Sequence, residues 1–145
     1  MLAFHMMNQR PSVTVFPRTI AQRVGTLLMF VVRNIFSRPE VLRQTVLQLA
    51  HNEEIPQSLA YDSAPLDFLV HDGGASSITD AAYRFARHEP GADVVLFGTG
   101  NLEHLRANVA SLLKPPLPSA DVEKLRVWFG QLRGIGLVFP DHRPS

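Results

Sequence analysis

The sequence predicts an α/β fold of parallel strands joined by helical crossovers, and three observations carry that prediction. Residues 2–7, 26–32 and 93–97 form short apolar runs without polar alternation, as strands buried on both faces do. Stretches with apolar residues at helical spacing separate the second run from the third and follow the third. The order of strand, connection, strand, helices, strand, helix, helix then calls for crossovers and parallel pairing.

Taken along the chain, the first run is followed by a polar stretch punctuated by Pro11 and Pro17, with a short helix expected around residues 18–23. After the second run, Pro39 suits the first turn of a helix that presents Val41, Leu42, Val46, Leu49 and Ala50 on one face and ends near His51. Residues 52–76 hold Pro56, Pro65 and the pair Gly73 and Gly74, which predicts a long excursion with short helical pieces, of a kind that is often functional. Ser77 and Asp80 resemble a capping box with a shortened acid, ahead of Ile78, Ala81, Ala82, Phe85 and Ala86 at helical spacing. His88, Glu89, Pro90 and Gly91 stop this helix. The third strand follows, then Gly98, Thr99, Gly100 and Asn101, the last a natural N-cap for a helix with Leu102, Leu105, Val109 and Leu112 facing inward. A last helix starts at Ser119, places Asp121 and Glu123 in its first turn, and turns Val122, Leu125 and Phe129 inward. Residues 1–133 read as one folded unit and 134–145 as a tail.

At 145 residues and 46% hydrophobic content, the chain supports one core and not two. A net charge of +1 without a run of like charges argues against nucleic acid or an anionic membrane as a partner. The absence of cysteine removes disulfides and thiolate metal sites and fits a cytoplasmic location. Residues 1–7 lack the basic segment and cleavage site of a signal peptide, and the apolar run at 27–32 stops at Arg33, short of a membrane span.

Two glycines at 98 and 100 let a backbone approach a ligand closely, and the start of the next helix offers amide donors, the outline of a phosphate site. A plain strand-to-helix turn explains the same glycines as well. The six histidines show no metal-binding pair at helical spacing, and no metal site is expected. His71 beside Asp72 reads as a surface-loop pair, Tyr83 as packing, and Trp128 with Phe129 as core or rim.

Residues 94–108, a hydrophobic strand, Gly98, Thr99, and a helix ending in Ala107 and Asn108, resemble the last barrel strand and following helix of aldo-keto reductases. Residues 78–90 are similar to that family's preceding helix, residues 24–29 to its seventh strand and residues 2–8 to its sixth, so the likeness runs to about Phe129. It implies the C-terminal part, about the last three βα units, of a (β/α)₈ TIM barrel that reduces carbonyls with NADP, or with NAD. Phosphate in such barrels often sits at the loops after strands seven and eight. By that resemblance Gly98, Thr99, Gly100 and Asn101 would line the adenosine and its phosphate, His104 would stand for a basic residue, Asn108 would meet the adenine, and Met29 would lie at the nicotinamide. Ala107 replaces the usual Glu, no Lys or Arg occupies positions 98–104, and Met29 replaces an aromatic ring, which leaves the choice between NADP and NAD open.

The family's catalytic Asp, Tyr, Lys and His belong to the first half of the barrel, so no catalytic residue is assigned in this chain and a complementing barrel half is the expected partner. Self-association through exposed edge strands is the other expectation. The competing readings are a non-catalytic nucleotide-binding or assembly module and a truncated gene product.

Overall fold

The computed structural model describes residues 1–137. Three short strands, β1 (Leu2–Ala3), β2 (Leu27–Met29) and β3 (Val94–Val95), form a parallel sheet in the order β1-β2-β3. Seven α-helices surround it among the described residues: α1 (Pro11–Thr14), α2 (Phe16–Gln22), α3 (Asn34–Ser37), α4 (Pro39–His51), α5 (Ile78–Arg87), α6 (Leu102–Leu113) and α7 (Ser119–Phe129). This is the mixed α/β arrangement with parallel strands that the apolar runs predict.

Register is fixed at the start of β2 and β3. Thr26 N donates to Asp93 Oδ2 at 2.7 Å, the Thr26 hydroxyl donates to the Gly91 carbonyl, and Val94 N donates to Thr26 O at 3.0 Å. A one-residue slip would break this set and turn every side chain of the strand to the other face.

The strands are shorter than their apolar runs. Phe4 N still reaches Met29 O, but His5 and Asn8 then exchange backbone bonds and the chain folds back, so residues 4–7 are not strand. Phe4, Met6 and Met7 are nonetheless fully buried, because the run records burial and not length of ladder. Phe4 meets Phe16 of α2 edge-on at 5.3 Å and stacks on Phe85 of α5 at 5.7 Å, which ties the start of the chain to an early helix and to one past its middle.

Both prolines of the first connection sit in first turns, Pro11 in α1 and Pro17 in α2, where the missing N–H costs nothing. Helix α4 spans the predicted residues and buries Leu42, Val46, Leu49 and Ala50, with Val41 at the margin. The excursion after it holds two 3-10 turns, Gln57–Tyr61 and Asp67–Leu69, and buries Ile55, Leu59, Leu66 and Leu69. It is a packed layer over α4 rather than a loose loop.

Helix α7 turns Leu125 and Phe129 into the core, and Trp128 lies at the rim, edge-on to Phe68 at 5.2 Å. Gln9 is buried and joins two segments: its Nε2 donates to Met6 O at 2.7 Å and to Leu125 O at 3.0 Å. Asn8 Oδ1 accepts from Gly134 N, so the start of the predicted tail is tied to the fold-back after β1. The rest of the tail, 138–145, lies outside the described residues. No helix among the described residues is long and apolar enough to cross a membrane.

Candidate functional site

Helix α5 forms where predicted, but its cap differs from a capping box. Ser77 Oγ accepts from Asp80 N at 3.1 Å, as such a box requires, whereas Asp80 Oδ2 reaches back to Ser76 N at 2.9 Å and not to Ser77 N. The shorter acid folds toward the preceding residue. Asp80 is buried and anchors a charge cluster, with Arg84 Nη1 at 3.6 Å and Lys114 Nζ at 3.0 Å. Burial pushes the Asp80 carboxyl up, but the Ser76 amide, the Ser111 hydroxyl and Lys114 outweigh it and hold its pKa at about 2. The Arg84 guanidinium, buried as well, donates to the carbonyls of Gly74, Pro115 and Pro116 at 2.8–2.9 Å, closing the loops before α5 and after α6.

Beyond the last residues of β2 and β3, between α5 and α6, lies a cavity of about 1060 Å³. Five of the seven residues singled out for cofactor contact line it: Met29, Gly98, Thr99, His104 and Asn108. Gly100 and Asn101 do not. One wall is apolar and aromatic, with Phe30, Phe36, Tyr83 and Phe97; the other carries the polar side of α6, with His104, Asn108, Ser111 and Lys114.

Three features depart from the sequence reading. Asn101 caps α6 as predicted, but its Oδ1 accepts from Glu103 N at 2.8 Å and His104 N at 3.1 Å, so two amides expected to face a phosphate are already engaged. Helix α6 presents its polar side to the cavity, and Leu102, Leu105 and Val109, expected inward, are 58%, 41% and 42% exposed. Only Leu112 of that series packs on the core, because β3 is an edge strand and offers α6 no further strand to cover. Gly98 and Gly100 do not make the tight turn that would explain them: neither has a positive φ, and a Cβ at either position would meet nothing within 4 Å.

Some residues at the cavity were not legible in the sequence. Phe30 follows Met29 with φ +65°, a region that bulky residues rarely occupy, and the Arg33 guanidinium lies 4.3 Å from its ring centre. An aromatic ring therefore stands one residue beyond the position where the resemblance places one. Tyr83 packs edge-on to Phe97 at 5.8 Å, and burial pushes its hydroxyl pKa up. Packing was its predicted role, and it is also part of the cavity wall.

His71 and His5 lie away from the cavity lining. His71 pairs with Asp121 of α7 at 2.9 Å and takes only the backbone carbonyl of Asp72, so the loop pair is replaced by a tie between the excursion and α7. Its pKa is raised, first by the hydrogen bond to Asp121. His5 is fully buried beside Phe36, its Nδ1 accepting from Met7 N, and burial pushes its pKa down to about 4.

Comparison with models of protein families, with curated proteins and with solved structures finds no match to this chain.

Proposed function

We propose that residues 1–133 are the C-terminal part of a (β/α)₈ barrel and form the cofactor-binding portion of a cytoplasmic NAD(P)H-dependent aldo-keto reductase. The observation that carries this reading is Gly98 at the cavity, a glycine that neither backbone conformation nor packing requires. Close approach of a ligand is the remaining physical use of glycine there. Gly98 and Thr99 lie at the cavity with Asn108 and His104 across from them, and an aromatic wall stands behind, a donor set and shape suited to a nucleotide with planar rings.

A nicotinamide dinucleotide, when bound, supplies hydride for carbonyl reduction. What this chain contributes is placement. Gly98 lets the ligand approach the backbone, Thr99 and Asn108 offer hydrogen bonds, and Met29 and Phe30 bound the ring. The proton donor for a developing alkoxide belongs to a complementing barrel half, and the free edges of β1 and β3 suit such a partner. Met29 takes the nicotinamide position, while Asn101 caps α6.

Titration calorimetry of the chain with NADPH and NADH tests this. Wild type is expected to bind at least one of them. Gly98→Val should weaken binding by about tenfold or more while leaving the melting curve unchanged, since the cost is a steric block of one ligand. Asn108→Ala should lose about 0.5–1.5 kcal/mol of binding, the worth of one hydrogen bond. If wild type binds neither dinucleotide, or a folded Gly98→Val binds as wild type does, the reading fails.

A second reading, a non-catalytic assembly module, has one observation in its favour: the outward apolar stripe of α6, with Leu102, Leu105, Val109 and Leu113 exposed.

A further inference from the structure

Residues 70–76 run as a strap from the excursion to the cavity. Val70 and Ala75 form a bridge, Ala75 N donates to Leu69 O at 2.8 Å, and Gly74 N donates to His71 O at 2.9 Å, which closes a turn over residues 71–74. Gly73 supplies the positive φ of that turn, +82°. Gly74 has another use: a Cβ there would lie 2.6 Å from His71 Nε2, so the imidazole fills the space that a side chain would take. Beyond the turn, Gly74 O accepts from Arg84, and Ser76 and Ser77 stand at the cavity wall.

The imidazole is fastened at both nitrogens. Nε2 lies 2.9 Å from Asp121 Oδ2 in the first turn of α7, and Nδ1 lies 2.9 Å from the carbonyl oxygen of Asp72. Both oxygens are acceptors. A neutral imidazole carries one N–H and satisfies one of them, whereas the imidazolium donates to both. The charged groups acting on the ring are Asp121 from α7 and Asp72 from its own turn, and both favour the cation. With both nitrogens engaged, the ring has none left for acid–base work on a ligand.

We infer that His71 is a pH-sensitive latch: with two protons it clamps the turn to α7, and on losing one it releases the strap that carries Ser76 and Ser77 at the cavity wall. The raised pKa of His71 agrees with this geometry. Stabilisation of the strap is therefore complete below the ordinary value of 6.5 and is lost as the pH rises through the folded pKa. The latch involves no ligand and stands apart from the nucleotide reading of the cavity.

The test follows amide exchange along the chain from pH 5.5 to pH 8.5, each rate divided by that of an unstructured peptide at the same pH, together with the His71 ring resonances. His71 should titrate above 6.5. Across that titration the protection of the Gly74, Ala75 and Ser76 amides should fall about twofold to fivefold, the scale of one exposed ion pair, while the amides of α4 keep theirs. Asp121→Asn should bring the titration down toward the ordinary value and leave amides 74–76 weakly protected at every pH. His71→Gln, which lacks the charge, should do the same to those amides. Should either variant fail to fold, wild type still decides the matter. A His71 that titrates at or below 6.5, protection at 74–76 that ignores its titration, or an equal loss in α4 and in the strap each overturns the latch.

Discussion

Helices α5 and α6 begin alike and end in opposite circumstances. Each opens on a side chain that holds amides of its first turn, Ser77 in α5 and Asn101 in α6, and each carries apolar residues at helical spacing. Helix α5 is enclosed: Ala81, Ala82 and Ala86 are fully buried, Phe85 stacks on Phe4, and even Asp80 and Arg84 are covered. It packs against α3, α6, β3 and the second 3-10 turn. Helix α6 buries only Ser111 and turns Leu102, Leu105 and Leu113 outward. The lesson is that capping and spacing decide that a helix forms, whereas the neighbours available decide which side of it is covered.

The contrast is sharpest in the charge cluster. Arg84→Met removes one of the two cations beside buried Asp80 and strands three carbonyls, and urea denaturation should show a loss of about 3–5 kcal/mol. Leu105→Ser on the outer side of α6, measured in the same way, should shift stability by less than about 0.5 kcal/mol. Comparable losses from the two substitutions would remove the distinction between the helices.

Acid should act on the enclosed side of the molecule next. The folded pKa of His5 is about 4 against an ordinary 6.5, so the unfolded chain takes the proton first. Stability is then full above pH 6.5 and falls as the pH drops from 6.5 toward 4, by about 3 kcal/mol in all. A second limb follows from Asp80, whose pKa is held at about 2 against 3.8: its contribution is present above pH 3.8 and is lost as the pH falls toward 2. His5→Leu should flatten the first limb and spare the second. Urea midpoints that do not move between pH 7 and pH 4.5 would show that His5 is not buried in the neutral form.

The smallest effects concern the caps. Ser77→Ala and Asn101→Ala each remove a side-chain acceptor worth about 1 kcal/mol. The loss in α5 should appear in the global melt, because that helix unfolds only with the core. In α6 it should appear as faster amide exchange at residues 103 and 104, with the melt unchanged. A global shift from Asn101→Ala would mean that α6 is covered in solution, which favours the assembly reading.

Local rules made much of the fold legible in advance. Pro39, Ser77, Asn101 and Pro115 bound helices that occur where spacing and caps predict them, since these signals act within a few residues. Strand length was less legible: residues 2–7 are apolar apart from His5 and all but the first two lie in the interior, and burial alone does not separate a ladder from a buried turn. At the cavity, the segment 98–108 stood out through its glycines and its likeness to a known pattern. Lys114, Ser76 and Phe30 did not, because nothing near them in sequence marks them as neighbours.

The sequence by itself determined the alternation of strands and helices, the parallel pairing that such an order requires, the caps, and a core rather than cross-links as the source of stability. Each follows from periodicity, backbone chemistry or composition, which are read within one segment or summed over the chain. Only the tertiary structure decided that α6 turns its polar side to the cavity and that Asp80 holds Lys114 at the cavity wall. These depend on which segments meet across 34 or more residues, and on a sheet whose edge strand β3 gives the following helix no further strand to cover.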